Sequence, residues 1–530
     1  MTGESSSIYE QLQNLLPPLS TRPKRGWLAE SRYPNGLWGS GFRSFSQVIF
    51  INHPLSGALL LWAFLLESPW MALLAMLGMI AANLASRVLH LDPGLRDQGI
   101  HGFNGALVGC AAGVLLDADV SWFAGLLIFL VPLGGAITAW LLQIWSMLFH
   151  RRGDPPALTL PFCLITWGLL LVVGPSVPDS IETAQSVVES SALPALFLGV
   201  PHSFGQVFLC ANLASGWLVL LAVVLASPLA AALGVLGALA AMVTVLAIGV
   251  EAADVAQGLW GYNGLLVAIA LGGIFHAPGP RSLMIALVGA GLSTLLQFLQ
   301  GALVPTLPPL TVSFVLTTWM LQRLVGRLLP ALIPVSLHAV VTPEEHRHRF
   351  RIASELLGTF RSHLRHRISG TLPKRGKVPL APPMQTQTQE LFQKLDHNHD
   401  GILSLDELAA ALLPTRSNDQ NAVMASSSLK RQLAATMDAM DLDGDGRIDA
   451  CEFGQMIQQL QRLREGEERL LLYLMPADAD GDDRLDQQEL ALLLRSIGQP
   501  PLSAEEERFV FSDHPQGLSW RSFVDRLLLT

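Results

Sequence analysis

Three twelve-residue stretches near the end of this chain carry oxygen-bearing side chains at a fixed spacing. In the first, Asp396, Asn398, Asp400, Ser404 and Glu407 fall at positions 1, 3, 5, 9 and 12. Gly401 stands at position 6, and position 7, Ile402, offers its carbonyl. The second repeats the pattern in full with Asp441, Asp443, Asp445, Arg447 (through its carbonyl), Asp449 and Glu452. The third has Asp478, Asp480, Asp482, Arg484, Asp486 and Glu489, but Asp483 occupies the position where the sharp turn favours glycine, so weaker binding is expected there. Carboxylate, amide and carbonyl oxygens closed by a bidentate Glu make a cage that suits a hard cation such as Ca2+. Ser512–Phe523 keeps the spacing without the ligands and reads as a structural partner, because such loops pack in pairs. Each loop needs a helix on either side. Residues 388–530 therefore read as a soluble, acidic, α-helical domain.

A second set of polar residues lies upstream, in a very different chain. Half of all residues are apolar, only 15% are charged, and mean hydropathy is +0.41. No Lys or Arg occurs between Arg152 and Arg281. Ten apolar stretches approach the length needed to cross a bilayer. They lie near 55–67, 70–86, 100–117, 121–149, 157–174, 213–226, 228–250, 259–275, 282–300 and 308–329. Several hold Gly, Pro or Asn, which at membrane depth is tolerated where backbone is buried in protein or lines a cavity.

Those stretches repeat. Gln47-Val48-Ile49-Phe50 returns as Gln206-Val207-Phe208-Leu209, and Ser68-Pro69 as Ser227-Pro228, both 159 residues on. Gln98–Val108 returns as Gln257–Val267 at the same offset, with Asn104 matching Asn263. Pro156-Ala157-Leu158-Thr159 returns as Pro308-Pro309-Leu310-Thr311, 152 residues on. Basic residues set the orientation. Arg22, Lys24, Arg25 and Arg32 place the N-terminus in the cytoplasm. The loops holding Arg87 and Arg96, Arg151 and Arg152, and Arg281 then fall inside, as do Arg323 and Arg327. The segments 175–200, 251–257 and 301–307 carry no Lys or Arg and fall outside. Five spans is an odd number, so the second repeat is expected upside down relative to the first. The expected fold is all-α: a polytopic membrane protein of two inverted five-helix repeats, plus the soluble domain.

No carboxylate lies in mid-span; Glu67, Glu251 and Asp254 sit at span ends. Proton or sodium relays normally use such groups. A neutral solute moving downhill is therefore the natural cargo. The repeated polar pairs are Gln47/Gln206, Asn104/Asn263 and Thr159/Thr311. Buried amides and hydroxyls need partners. The Asn pair, flanked by glycines, is expected to brace tight turns. The Gln and Thr pairs are assigned either to a pore or to interhelical hydrogen bonds.

Gly-Ile-His-Gly-Phe-Asn-Gly-Ala-Leu-Val-Gly at 99–109, its counterpart at 258–267, Leu-Thr-Leu-Pro-Phe at 158–162 and Gln-Val-Ile-Phe-Ile-Asn-His-Pro-Leu-Ser-Gly at 47–57 resemble the signatures of the urea transporter family. The resemblance covers roughly 40–330. It implies facilitated diffusion of urea, a homotrimer, and one pore per protomer. It also implies Gln47 and Gln206 near the two mouths, Thr159 and Thr311 at the constriction, and Val48, Phe50, Leu107, Val207, Leu209 and Leu266 as apolar walls. Planar urea has two NH2 donors and one acceptor oxygen, so a ladder of oxygens between flat apolar walls replaces its hydration. Ser313 in place of Pro161, Tyr262 in place of Phe103, and Leu209 in place of Phe50 leave short amides, water or ammonia as alternative solutes. A calcium-dependent membrane scaffold without transport is the other alternative. The acidic loops in turn resemble EF-hands.

Between the two parts, residues 343–378 hold nine basic and three acidic residues, a balance of 9 − 3 = +6. Phe350, Leu356, Leu357, Phe360, Leu364 and Ile368 recur at helical spacing. A basic amphipathic helix of this kind is expected either on anionic lipid or against the acidic EF-hand domain of the same chain. The chain thus divides into 1–40 (cytoplasmic N-terminal segment), 41–190 and 191–335 (the two repeats), 336–387 (linker) and 388–530 (EF-hand domain), with both termini cytoplasmic. Cys110, Cys163, Cys210 and Cys451 form no metal or disulfide spacing. The N-terminus lacks the apolar run of a cleaved signal, so the first span is expected to insert the chain. No nucleophile-and-base arrangement or nucleotide loop is found, so neither an enzyme nor a nucleic-acid partner is expected.

Overall fold

The structure, a computed structural model, describes residues 37–116, 121–149, 156–173, 191–329, 342–369, 392–404, 447–455, 484–511 and 517–519, with single residues between them (332, 335, 389, 406, 407, 457 and 523). Two compact units divide the chain, one over residues 25–348 and one over residues 349–530 together with 1–24.

In the first unit, seven helices are followed by seven counterparts. The first set is α1 (Leu37–Gln47), α2 (Pro54–Glu67), α3 (Pro69–Val88), α4 (Pro93–Asp97), α5 (Phe103–Leu115), α6 (Ser121–Leu148) and α7 (Leu160–Val173). The second is α8 (Ala192–Gln206), α9 (Leu213–Ala226), α10 (Pro228–Ala247), α11 (Ala252–Ala256), α12 (Tyr262–Ile269, continued as a π-helix over Ala270–Ile274), α13 (Pro280–Leu303) and α14 (Val312–Leu328). Each of the ten expected spans contains a helix. Among the described residues, four helices are long and apolar enough to cross a membrane, and they are repeat mates: α3 with α10, and α6 (from Ala124) with α13.

Each repeat holds two helices beyond the expected five. α4 and α11 are single short turns. α1 begins at Leu37, inside the segment 1–40 expected to precede the repeat, and α8 occupies Ala192–Gln206, where 175–200 was expected to be an outside loop. The lack of Lys or Arg over 175–200 had set that stretch outside as a loop. Pro194 sits in the first turn of α8, whose N–H groups lack intrahelical partners anyway.

Local chemistry explains the sharp joints. Ser68 is extended, ends α2, and caps α3 by accepting from Met71 N; Pro69 then starts the helix. Ser227 does the same between α9 and α10, accepting from Ala230 N.

Side chains also reveal how the repeats are related. Ser56 Oγ donates to Ala222 O (2.8 Å), and Ser215 Oγ donates to Ala63 O (3.0 Å). These are the same bond seen from each side, since 215 − 56 = 222 − 63 = 159. From Ser56 to Ala63 along α2, the partner runs backwards from Ala222 to Ser215, so α2 and α9 are antiparallel. Trp167 Nε1 donates to Pro308 O (3.0 Å) and Trp319 Nε1 to Pro156 O (2.8 Å), again as mates. Only a rotation about an axis perpendicular to both helices exchanges an antiparallel pair in this way.

The second unit contains α15 (Pro343–Ile368) from Arg349 onward, β1 (Arg484–Leu485), α16 (Gln487–Ser496), α17 (Ala504–Phe511) and β2 (Leu518–Ser519). Leu403 bridges Ile448, joining position 8 of the first loop to position 8 of the second. Leu485, position 8 of the third, pairs with Leu518, one residue after Gly517. Gly517, sixth residue of the segment Ser512–Phe523, has a positive φ (98°); residues 512–516 and 520–522 lie outside the described residues.

Candidate functional site

The Gln-Val-x-Phe/Leu segments close α1 and α8 with one shared turn. Ile51 N donates to Ser46 O and Phe50 N to Gln47 O; Cys210 N to Gly205 O and Leu209 N to Gln206 O repeat the pattern. This is a Schellman cap, and its left-handed residue is usually glycine. Here it is Phe50 and Leu209, each at φ 62°. Such strain in bulky residues clusters at functional sites. Val48 and Val207 are buried, as are Leu107 and Leu266, while Leu209 is half-buried. Gln47 is nearly buried; Gln206 is half-buried and reaches Gln257 O at 3.4 Å.

Two further left-handed residues, Leu158 (φ 51°) and Leu310 (φ 46°), precede the threonines. Asn104 Nδ2 donates to Leu158 O (3.2 Å) and Asn263 Nδ2 to Leu310 O (3.1 Å). The asparagines therefore brace turns, as their flanking glycines suggested, but turns about fifty residues away. Beyond those turns Thr159 Oγ1 and Thr311 Oγ1 meet at 2.6 Å, both 3% exposed. The two repeat mates thus touch each other directly. The glutamines make no hydrogen bond to them.

Three neighbours join these residues; of them Phe314 carried a repeat signal, as the mate of Phe162, whereas Cys163 and Phe275 carried none. Cys163 Sγ lies 3.3 Å from Thr311 Oγ1. Phe50 receives Phe314 at 5.9 Å and Phe275 at 6.5 Å between ring centroids, both edge-to-face.

The helices α1 and α8 are fixed by matched contacts. Gly99 (φ 80°) lies so close that an added Cβ would be 2.5 Å from Ser44 N; at Gly258 (φ 75°) it would be 2.4 Å from Ser203 N. Arg43 Nη1 donates to Asp97 O (3.0 Å), and its mate His202 places Nδ1 2.9 Å from Ala256 O.

In the first calcium loop all six expected positions are described. Asp396 accepts from Asp400 N and Gly401 N, and Asp400 Oδ1 from Ile402 N. Gly401 has φ 79°, the turn its position requires. Glu407 accepts from Ser404 N (2.9 Å) and Ser404 Oγ (2.7 Å), which hold its carboxyl below the usual range. The same position 9–12 pairing recurs at Asp449 with Glu452 and at Asp486 with Glu489. Arg447 and Arg484 are described beside them, whereas Asp441, Asp443, Asp445, Asp478, Asp480, Asp482 and Asp483 lie outside the described residues. The donor set of the first loop fits Ca2+: Asp396, Asn398, Asp400, Ser404 and Glu407 with the Ile402 carbonyl are all hard oxygens. A bound ion would draw these oxygens together, and the turn at Gly401 is already formed.

Along α15, Ala353, Leu357, Phe360 and Leu364 form one buried stripe. Phe360 packs on Phe523 (5.5 Å). Arg361, 3% exposed, donates to the carbonyls of Pro500 and Pro501 and to Glu506 Oε2 (3.2 Å); Arg365 reaches Glu506 Oε1 (2.8 Å). Burial raises the Glu506 carboxyl, but Ser503 N and the two arginines outweigh it, and the net shift is downward.

Apolar helices in two matched sets, four of them among the described residues long enough to cross a membrane, joined in one chain to a unit whose loop presents hard oxygens, define a helical membrane protein with an EF-hand-like extension. The urea transporter family is matched over residues 39–326, more than half of the chain, and the chain belongs to it. It is 32% identical to Urea transporter 1 of Rattus norvegicus over 288 residues, covering 52% of this chain and 74% of that protein. It is 31% identical to Urea transporter 1 of Mus musculus over 294 residues, with the same coverage. The EF hand family is matched over 388–413 and 433–457. The C-terminal part is 31% identical over 133 residues to the probable calcium-binding protein CML16 of Oryza sativa subsp. japonica, covering 24% of this chain and 69% of that protein.

Proposed function

We propose that this chain conducts urea passively through a pore in each protomer, and that calcium at its EF-hands modulates the flow. Gln47 and Gln206 stand at the two mouths. Val48, Phe50, Leu107, Val207, Leu209 and Leu266 form walls, and urea exchanges hydration for the hydroxyls of Thr159 and Thr311 midway. The observation that carries this reading is the Thr159–Thr311 pair, two mates meeting at 2.6 Å inside the region matched to the family. A solute crossing there meets oxygens, which suit NH2 donors, and no carboxylate that would hold a cation.

The antiparallel pairing of α2 with α9 supports an inverted arrangement: if these helices run across the bilayer, the two-fold lies in the membrane plane. Phe129, Leu171 and Val172, all more than 70% exposed, form a lipid-facing surface. Both termini are cytoplasmic in this reading, and three protomers assemble. Calcium would act through residues 388–530, where α15 lies against Pro500–Glu506 and Phe523. The test is stopped-flow urea efflux from proteoliposomes with acetamide as a comparison, at low and saturating internal calcium. Equal urea flux at both calcium levels, with calcium bound, would leave a channel without calcium control. Acetamide passing as fast as urea would assign the pore to short amides in general.

A further inference from the structure

The second repeat departs from the first inside α12. Hydrogen bonding there widens to a π-helix over Ala270–Ile274, whereas the matching residues 111–115 stay α-helical in α5. Single π-turns inside α-helices frequently mark functional positions. This one ends at Phe275, whose N–H donates to Ala270 O (2.8 Å). Phe275 is 2% exposed and turns onto Phe50. Its mate in the first repeat is Leu116, so Phe275 itself has no aromatic counterpart there.

The segment entering α15 converges on this turn. Val335 N donates to Phe275 O (2.8 Å). Pro343 covers Gly273 so closely that a Cβ there would lie 2.6 Å from Pro343 Cγ. His346, fully buried, places Nδ1 2.9 Å from Gly273 O. Between them, Glu344 accepts from Leu229 N (2.6 Å) and from Ser227 Oγ (2.5 Å) at the start of α10. A carboxylate is favoured there by unpaired N–H groups and the helix dipole. Leu233 of α10 in turn packs on Gly272 and Gly273.

We propose that Pro343, Glu344 and His346 form a clamp that fixes the π-helix and sets Phe275 against Phe50, so that the first turn of the linker helix determines the width of the solute slot on that side. Phe275 is then a further wall-positioning residue, and Glu344 acts through it. The inference rests on Phe50 being a pore wall.

The test uses the full chain in liposomes and compares N-methylurea with urea permeability for the wild type, Glu344→Ala and Glu344→Gln. Loss of the clamp should raise the N-methylurea to urea ratio in Glu344→Ala, with Glu344→Gln in between, because it keeps an oxygen for Leu229 N. Amide exchange at 229–231 and 273–276 should quicken about tenfold in Glu344→Ala, while the mate segment 70–72 stays as it was. A ratio equal to that of the wild type overturns the clamp, whatever happens to total flux, because a misfolded fraction lowers both solutes equally. A wild type that passes no urea defeats the pore reading, and the clamp with it.

Discussion

The hydroxyl pair gives the sharpest energetic prediction. Thr159 Oγ1 and Thr311 Oγ1 share one short bond, but Thr311 also has Cys163 Sγ at 3.3 Å. The two valine substitutions are therefore unequal. Thr159→Val leaves Thr311 with the thiol, and the cost should be about 0.6 kcal/mol, the usual value for a hydrogen bond between membrane helices. Thr311→Val strands both Thr159 and Cys163, and the cost should approach the upper end of that range, about 1.7 kcal/mol. The double variant should be no less stable than Thr311→Val, since removing both partners leaves no orphaned hydroxyl. Urea in transit loses one oxygen partner in each single variant. A barrier higher by about 1.4 kcal/mol slows flux about tenfold. Thermal unfolding of the detergent-solubilised protein and stopped-flow urea efflux read the two effects separately. Strictly additive destabilisation in the double variant, with urea flux unchanged in all three, would refute the assignment of this pair to the constriction.

Three other outcomes follow from the geometry. Gly258→Ala should fail to give a monodisperse protein by size-exclusion chromatography, because its Cβ would sit 2.4 Å from backbone atoms at φ 75°. Arg361→Ala should destabilise the 349–530 unit by about 3 kcal/mol, read as faster proteolysis there, because a buried carboxylate loses its buried partner; Arg365→Ala, whose side chain is 59% exposed, should cost under about 1 kcal/mol. Glu407 is held below the usual carboxylate range, so in calcium-free buffer its contribution is present above that range and is lost as pH falls through its lower folded value; Glu407→Gln should remove that part of the acid limb in denaturant titrations.

The repeat was readable because the same side chains must make the same bonds twice. Ser68 and Ser227 cap the same joint, and Asn104 and Asn263 grip the same left-handed leucines. The extra helix α8 was not read, because 175–200 was set outside by its lack of Lys and Arg, a pattern that orients a loop but says nothing of the helix that Ala192–Gln206 forms. Nor could the pattern foresee Phe50 and Leu209 at positive φ, since nothing in a bulky residue signals the left-handed region. The π-helix breaks the repeat without breaking the sequence match, so Phe275 became visible only with coordinates. In the calcium loops the opposite holds. Spacing alone singled out Glu407, Glu452 and Glu489 as expected ligands, and each hydrogen-bonds the ninth residue of its loop.

The central claim is a urea-conducting pore answering to calcium, and stopped-flow efflux from proteoliposomes holding the full chain measures it most directly. The account predicts urea flux well above that of protein-free vesicles, sharply reduced by Thr311→Val and altered by internal calcium. Urea flux no faster than through the bare bilayer would contradict it.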